Sequence, residues 1–181
     1  MNNQYNKDGK KEGLWVKIYD NGIIQEERNY VNGVRQGEYK SYYMNGTIEI
    51  IKHYKDGNLH GLYETYYADG TLSSTHTLVD GRIVGTYKEF YPNGNLKRLS
   101  EYLNSSTTTE NIKYFPNGEK KIEGNIVDGY MSGPYKEYHS NGKIFKEYSY
   151  GEKGKLEGKY KEYDAEGTLL KEVTYKDGVE V

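Results

Sequence analysis

At 181 residues, 34% of them hydrophobic, and with a mean hydropathy of −1.00, the chain is long enough for one ordinary domain but too polar for a thick compact core. A formal charge of −2, with Lys, Arg, Asp and Glu interspersed, excludes a global positive field that would draw nucleic acid or anionic lipid. The absence of cysteine excludes a disulfide framework, a thiolate metal site and a cysteine nucleophile, and fits a reducing compartment.

The apolar content is dominated by 22 tyrosines, against three phenylalanines and one tryptophan. A tyrosine can bury its ring while leaving its hydroxyl at water, which suits a thin structure. Residues 1–11 contain no apolar run that could serve as a signal-peptide core, and no segment is long enough and apolar enough to span a bilayer. The expectation is a soluble, cytoplasmic protein, in which the sequons at Asn45 and Asn104 are chance.

The first unit starts in a turn at Asn6-Lys-Asp-Gly9, runs through Leu14 to Tyr19, turns at Asp20-Asn-Gly22 and returns through Ile23 to Tyr30. Its head glycine, Gly13, recurs as Gly37, Gly61, Gly85, Gly133 and Gly158, and its turn glycine, Gly22, recurs as Gly46, Gly70, Gly94, Gly118, Gly142 and Gly167. The period is 24 residues with one step of 25, and a third glycine series after Asp or Asn splits each period into 13 and 11 residues. Self-similarity at fixed period decides the architecture before local propensity does. Glycine at this density disfavours helix, and Asn-Gly or Asp-Gly between aromatic and β-branched residues predicts hairpins.

Six further outgoing strands are predicted at 38–43, 62–67, 86–91, 110–115, 134–139 and 159–164. The second place after the head glycine is aromatic at Trp15, Tyr39, Tyr63, Tyr87, Tyr135 and Tyr160, with Asn111 the exception. The fifth is aromatic at Tyr42, Tyr66, Phe90, Tyr114, Tyr138 and Tyr163, with Ile18 the substitute. These places have opposite parity, so either a bulge brings both rings to one face or the sheet carries aromatics on both. On the return strands, Ile24 and Tyr30 and their equivalents are an even number apart and are expected on one face. Equivalent rings of successive units are expected to form cross-strand ladders.

The fifth unit keeps its length but loses its consensus. Ser105 and Thr109 stand where glycines belong, Asn111 replaces the tyrosine and Lys120 the aliphatic residue, around the run Ser105-Ser106-Thr107-Thr108-Thr109. One extra residue, in Tyr150-Gly-Glu-Lys-Gly154, is expected in a turn, where insertion is tolerated.

Written as Gly-x-Tyr-x-x-Tyr/Phe-Tyr-x-Asn-Gly-x-Leu followed by a tyrosine and a further Asp-Gly, the unit resembles the MORN-repeat variants and, more specifically, the bacterial YwqK-type antitoxin family. The resemblance runs from Gly9 to Gly178. It implies an all-β fold, an elongated single-layer antiparallel sheet of tandem β-hairpin repeats with about fourteen strands in up-and-down order. It also implies no catalytic apparatus in the repeats, no cofactor, and a protein partner, in the YwqK-type branch a toxin. Seven units in register form one repeat domain over 1–181.

The four histidines, His53, His60, His76 and His139, occupy unmatched places in the repeat and so predict no metal site. No His-Glu-x-x-His, Walker-type or Gly-x-Ser-x-Gly stretch is present. The Tyr-Lys-Glu triplets at Tyr87, Tyr135 and Tyr160 put lysines on one face and glutamates on the other, as solvated ladders rather than a hydrolase pair. Sugar or base stacking on the tyrosine rows lacks an export signal in the one case and a basic groove in the other. The expected function is therefore non-enzymatic binding of one protein partner; the alternatives are a structural scaffold at a membrane or envelope, and a carbohydrate-binding module. Candidate partner-binding residues are Ser105, Ser106, Thr107, Thr108, Thr109, Asn111, Lys120 and Lys121 in the irregular unit, and the sixth-place rings Tyr19, Tyr43, Tyr67 and Tyr91.

Overall fold

A computed structural model describes residues 2–102 and 109–181. They form an all-β protein whose strands are antiparallel and follow one another in chain order. The chain divides into two compact units, residues 1–84 with 92–94 and residues 85–91 with 95–181. The first unit holds β1 (Gln4–Tyr5), β2 (Lys11–Ile18), β3 (Ile24–Val31), β4 (Val34–Tyr42), β5 (Ile48–Lys55), β6 (Asn58–Tyr66) and β7 (Leu72–Val79). The division falls within β8 (Arg82–Phe90). The second unit continues with β9 (Leu96–Tyr102), β10 (Thr109–Tyr114), β11 (Lys120–Val127), β12 (Tyr130–Tyr138), β13 (Ile144–Tyr150), β14 (Gly158–Tyr163), β15 (Leu169–Lys176) and β16 (Val179–Glu180). The strands β2 to β15 are the fourteen expected from the repeat, and β1 and β16 are two-residue additions at the ends.

Two turn types alternate, and the glycine series separates them. At Tyr19-Asp-Asn-Gly22 the Gly22 amide donates to the Tyr19 carbonyl at 2.9 Å and the Tyr19 amide to the Ile23 carbonyl at 2.8 Å. Only the glycine takes positive φ there, +84°, as in a type I turn closed by one left-handed residue. At the other end Asn32 and Gly33 have φ of 50° and 84°, the doubly positive pattern of a two-residue type I′ turn. The same pairing recurs at Asp56-Gly57, Asp80-Gly81, Asp128-Gly129 and Asp177-Gly178. The extra residue in Gly151–Gly154 lies in a 3-10 turn, Glu152–Gly154, as expected of an insertion.

The register fixes what each face carries. Lys17 pairs with Glu26 but Ile18 pairs with Ile24, so Gln25 bulges from the return strand while the outgoing strand stays regular. The same shift recurs at Ser41/Tyr42, Thr65/Tyr66, Glu89/Phe90, Lys113/Tyr114, Glu137/Tyr138 and Glu162/Tyr163. Second-place and fifth-place rings therefore lie on opposite faces. The expectation that Ile24 and Tyr30 share a face is overturned: the bulge between them cancels one step of alternation, so Ile24 goes with Ile18 and Tyr30 with Gly13.

Burial agrees with a thin structure. Among the described residues the buried set is Tyr30, Leu78, Tyr135, Ser41, Ser74 and Ser100, and no large side chain is fully buried.

Candidate interaction surface

Within each unit, recurring side chains and turn amides tie repeats to their neighbours at both ends of the strands. The sixth-place Tyr19 hydroxyl donates to the Tyr42 carbonyl at 2.7 Å, Tyr43 to Tyr66 at 2.8 Å and Tyr91 to Tyr114 at 2.9 Å. In the sixth unit His139 takes the same place, its Nε2 2.9 Å from the Tyr163 carbonyl. Beside these, Asn21, Asn45, Asn117 and Asn141 each accept an amide of their own turn through Oδ1 and donate through Nδ2 to a carbonyl of the next repeat. At the opposite margin the Gly33, Gly57, Gly81 and Gly178 amides donate to carbonyls of the preceding repeat at Lys11, Arg35, Leu59 and Leu156. The side chains before three head glycines, Glu12, Gln36 and Glu157, accept the amides of Asn32, Asp56 and Asp177.

The fifth-place rings sit among carboxylates on one face. Tyr42 donates to Glu27, Tyr66 to Glu64 and Tyr163 to Glu147, each at 2.7 Å, and Tyr138 donates to Glu123. Burial and then the accepting carboxylate push the Tyr42 and Tyr66 phenols up to about 12.

The second-place rings occupy the other face, where the ladder is mixed. Arg28 pairs in register with both Trp15 and Tyr39, and Lys52 with both Tyr39 and Tyr63. The Lys52 ammonium lies 4.4 Å from the Tyr39 ring centre and 5.8 Å from that of Tyr63, and His76 stacks on Tyr63 at 4.9 Å. In the second unit the ladder is aromatic from Tyr135 to Tyr160, with Tyr148 stacked 5.3 Å from Tyr135 and 5.5 Å from Tyr160. Sequence reasoning missed the intervening cations because their place, 15 after the head glycine, holds Arg, Lys, His, Ser, Gly, Tyr and Val in turn.

Of the candidate residues, Tyr19, Tyr43, Tyr67 and Tyr91 are half-buried at the sheet margin. Asn111 sits opposite Ser100 and Gly124 in a row of small residues, with its Oδ1 buried and without a hydrogen-bond partner among the described residues. Thr109 begins β10 opposite Tyr102, in a register to β9 that shows no shift. Lys120 is exposed and bonds Glu123 at 2.6 Å, whereas Lys121, the bulge residue, lies 5.5 Å over the Phe115 ring. The structure thus separates the two lysines. Ser105 to Thr108 lie outside the described residues.

The histidines are dispersed: His53 Nδ1 is 3.2 Å from the Leu62 carbonyl and His60 Nδ1 is 3.5 Å from Asp80. No group of three or more metal-binding side chains occurs among the described residues, and no described helix is long and apolar enough to cross a membrane.

Residues 11–32, 35–56, 59–80, 83–104, 131–151 and 156–177 match the repeat family described as MORN repeat variant. No matched stretch falls between 105 and 130, which is the unit whose consensus is lost. No curated protein matches the chain.

Proposed function

Because the chain belongs to the MORN repeat variant family, we propose that it is a non-enzymatic binding protein that holds one protein partner, as an immunity or antitoxin-type protein of the bacterial cytoplasm. One observation carries this reading. Side chains that recur in most repeats bond backbone of a neighbouring repeat, while those that vary from repeat to repeat, such as Arg28, Lys52, His76 and Tyr148, lie on the ring-bearing face at the strand centres. A repeat scaffold with a fixed frame and a variable face is built for recognition rather than for positioning reacting groups. In this reading Thr109, Asn111, Lys120 and Lys121, with Ser105 to Thr108, stay candidate contacts, Asn111 and Lys120 on opposite faces of the sheet, and the rings of Tyr19, Tyr43, Tyr67 and Tyr91 border the face.

Co-expression with the products of adjacent genes tests the proposal. The expected outcome is a neighbour that arrests growth alone, is tolerated together with this chain, and co-elutes with it as a stoichiometric complex. Unrelieved arrest and separate elution would refute the reading.

A further inference from the structure

The two faces of the first unit differ electrically. On the face of Trp15, Tyr39 and Tyr63 the register places Lys11, Lys17, Arg28, Arg35 and Lys52, with Glu26 as the ladder carboxylate and Glu49 at a bulge against Ser41. The opposite face carries Glu27, Glu38 and Glu64 against Lys40, which bonds Glu38 at 2.6 Å.

The second unit carries more carboxylates on the ring-bearing face. Two places beyond the second-place residue it has Glu89, Lys113, Glu137 and Glu162, and Glu89 holds Lys97 at 2.7 Å and Arg98 at 3.6 Å. The first unit has Lys17, Ser41 and Thr65 there. Its Glu26 is occupied by Arg28 and by the Tyr39 hydroxyl, the latter at 3.0 Å, and the next repeat has Ile50 in the equivalent place. Among the described residues no carboxylate stands within ion-pair distance of Lys11, Arg35 or Lys52.

Rings orient these three cations without cancelling them. Lys11 lies 4.2 Å over Trp15 and 5.1 Å over Tyr30, Arg35 lies 5.3 Å over Tyr54, and Lys52 lies 4.4 Å over Tyr39. The local potential is visible at Tyr30: burial works to raise its phenol, but hydrogen bonds from Arg35 and Arg28 and the charge of Lys11 bring it below the ordinary value.

We propose that this face of the first unit docks an extended acidic segment of a protein partner, whose carboxylates reach Lys11, Arg35 and Lys52. The inference rests on the chain being a protein-binding repeat, and adds the chemistry of what it binds. From β2 to β4 is two strand steps, about 10 Å, and from β4 to β5 one more of ~4.8 Å, so a chain rising ~3.3 Å per residue crosses the first interval in about three residues and the second in about one to two. The Arg28–Glu26–Tyr39 arrangement already shows a carboxylate accommodated on this face by a cation and a phenol. Single-stranded nucleic acid is the poorer fit, because base stacking needs open ring faces and those of Trp15 and Tyr39 are covered by ammonium groups. A lipid surface is also the poorer fit, because on the scale of a Debye length of about 8 Å the acidic face behind the sheet opposes long-range attraction and leaves recognition to contact-range pairing.

The test uses the full chain and three probes: a labelled peptide with glutamate at every third position, oligothymidine, and phosphatidylserine vesicles. Wild type should bind the peptide, and the triple variant Lys11→Gln, Arg35→Gln, Lys52→Gln should bind it at least tenfold more weakly. A control with the same change of charge, Lys7→Gln, Lys40→Gln, Lys55→Gln, should match wild type. Thermal unfolding of each variant, and the three single variants measured separately, distinguish lost binding from lost folding. Equal losses in both triple variants, no peptide binding, or tighter binding of oligothymidine or vesicles would overturn the proposal. If the peptide fails while a neighbour-encoded protein still co-elutes, this inference falls and the protein-binding reading stands.

Discussion

The ring of Tyr135 lies over Gly124 so closely that a β-carbon built on the glycine would stand 2.1 Å from Cδ2 and 2.6 Å from Cε2. Gly124 is a strand residue paired with Tyr135 on one side and Asn111 on the other. The absence of a side chain there lets Tyr135 reach 9% exposure, boxed by Tyr148 and Tyr150 at ring distances of 5.3 and 5.6 Å. Gly124→Ala should therefore destabilise the chain by about 1–3 kcal/mol, as overpacking does, despite the better strand propensity of alanine. A urea midpoint equal to or above that of wild type would show that the ring moves away freely.

Tyr43 tests the repeat-to-repeat tie. Tyr43→Phe keeps the ring and deletes only the hydrogen bond to the Tyr66 carbonyl, so a loss of about 0.5–1.5 kcal/mol is expected, read in urea unfolding. The fifth unit already carries Phe115 at this place, so the ring alone can be tolerated. No change in stability would mean that the hydroxyl is equally well served by water.

The hairpins, their turns and the strand count were legible because glycines recur at fixed spacing and two-residue turns demand positive φ at Asp-Gly and Asn-Gly pairs. The distribution of faces was not. It depends on the bulge at Gln25 and its equivalents, where the sequence shows Gln, Glu, Ser, Lys, Lys, Phe and Leu with no common signal. Once the bulge is placed, the Tyr42 to Glu27 and Tyr39 to Glu26 bonds separate onto opposite faces. The basic face follows from that register, because a net charge of −2 averages over two surfaces of opposite sign in the first unit.

The tyrosine–glutamate pairs set the pH window of stability. Burial works to raise the Glu26 and Glu123 carboxyls, but hydrogen bonds from Arg28 and Tyr39, and from Lys120 and Tyr138, outweigh it; bonds from Tyr163 and Lys161 lower Glu147. Their contribution is complete above the unfolded value of about 4.3 and is lost as pH falls through the lower folded values. Tyr39, Tyr42 and Tyr66 are pushed up to about 12 by burial and the adjoining carboxylates. Their contribution is complete below the unfolded value of about 10 and is lost as pH rises through the folded one. The urea midpoint should fall at both ends of that window, and Tyr42→Phe should remove one late component from the ultraviolet titration of tyrosinate. A single transition near the unfolded value for all the phenols would contradict these pairings.

Asn111 stands where the other repeats have a ring, and its Oδ1 is buried without a hydrogen-bond partner among the described residues. A desolvated acceptor left unmade costs about 1–3 kcal/mol, and asparagine is also a poor strand residue. Asn111→Val removes the acceptor, keeps a compact side chain beside Ser100 and Gly124, and adds β-branching to β10. Stability should stay level or rise by about 1 kcal/mol. If the amide contributes to partner recognition, the same variant should bind the partner more weakly while unfolding at equal or higher urea. A fall in stability would show that the amide makes a contribution to the fold that outweighs its unpaired oxygen.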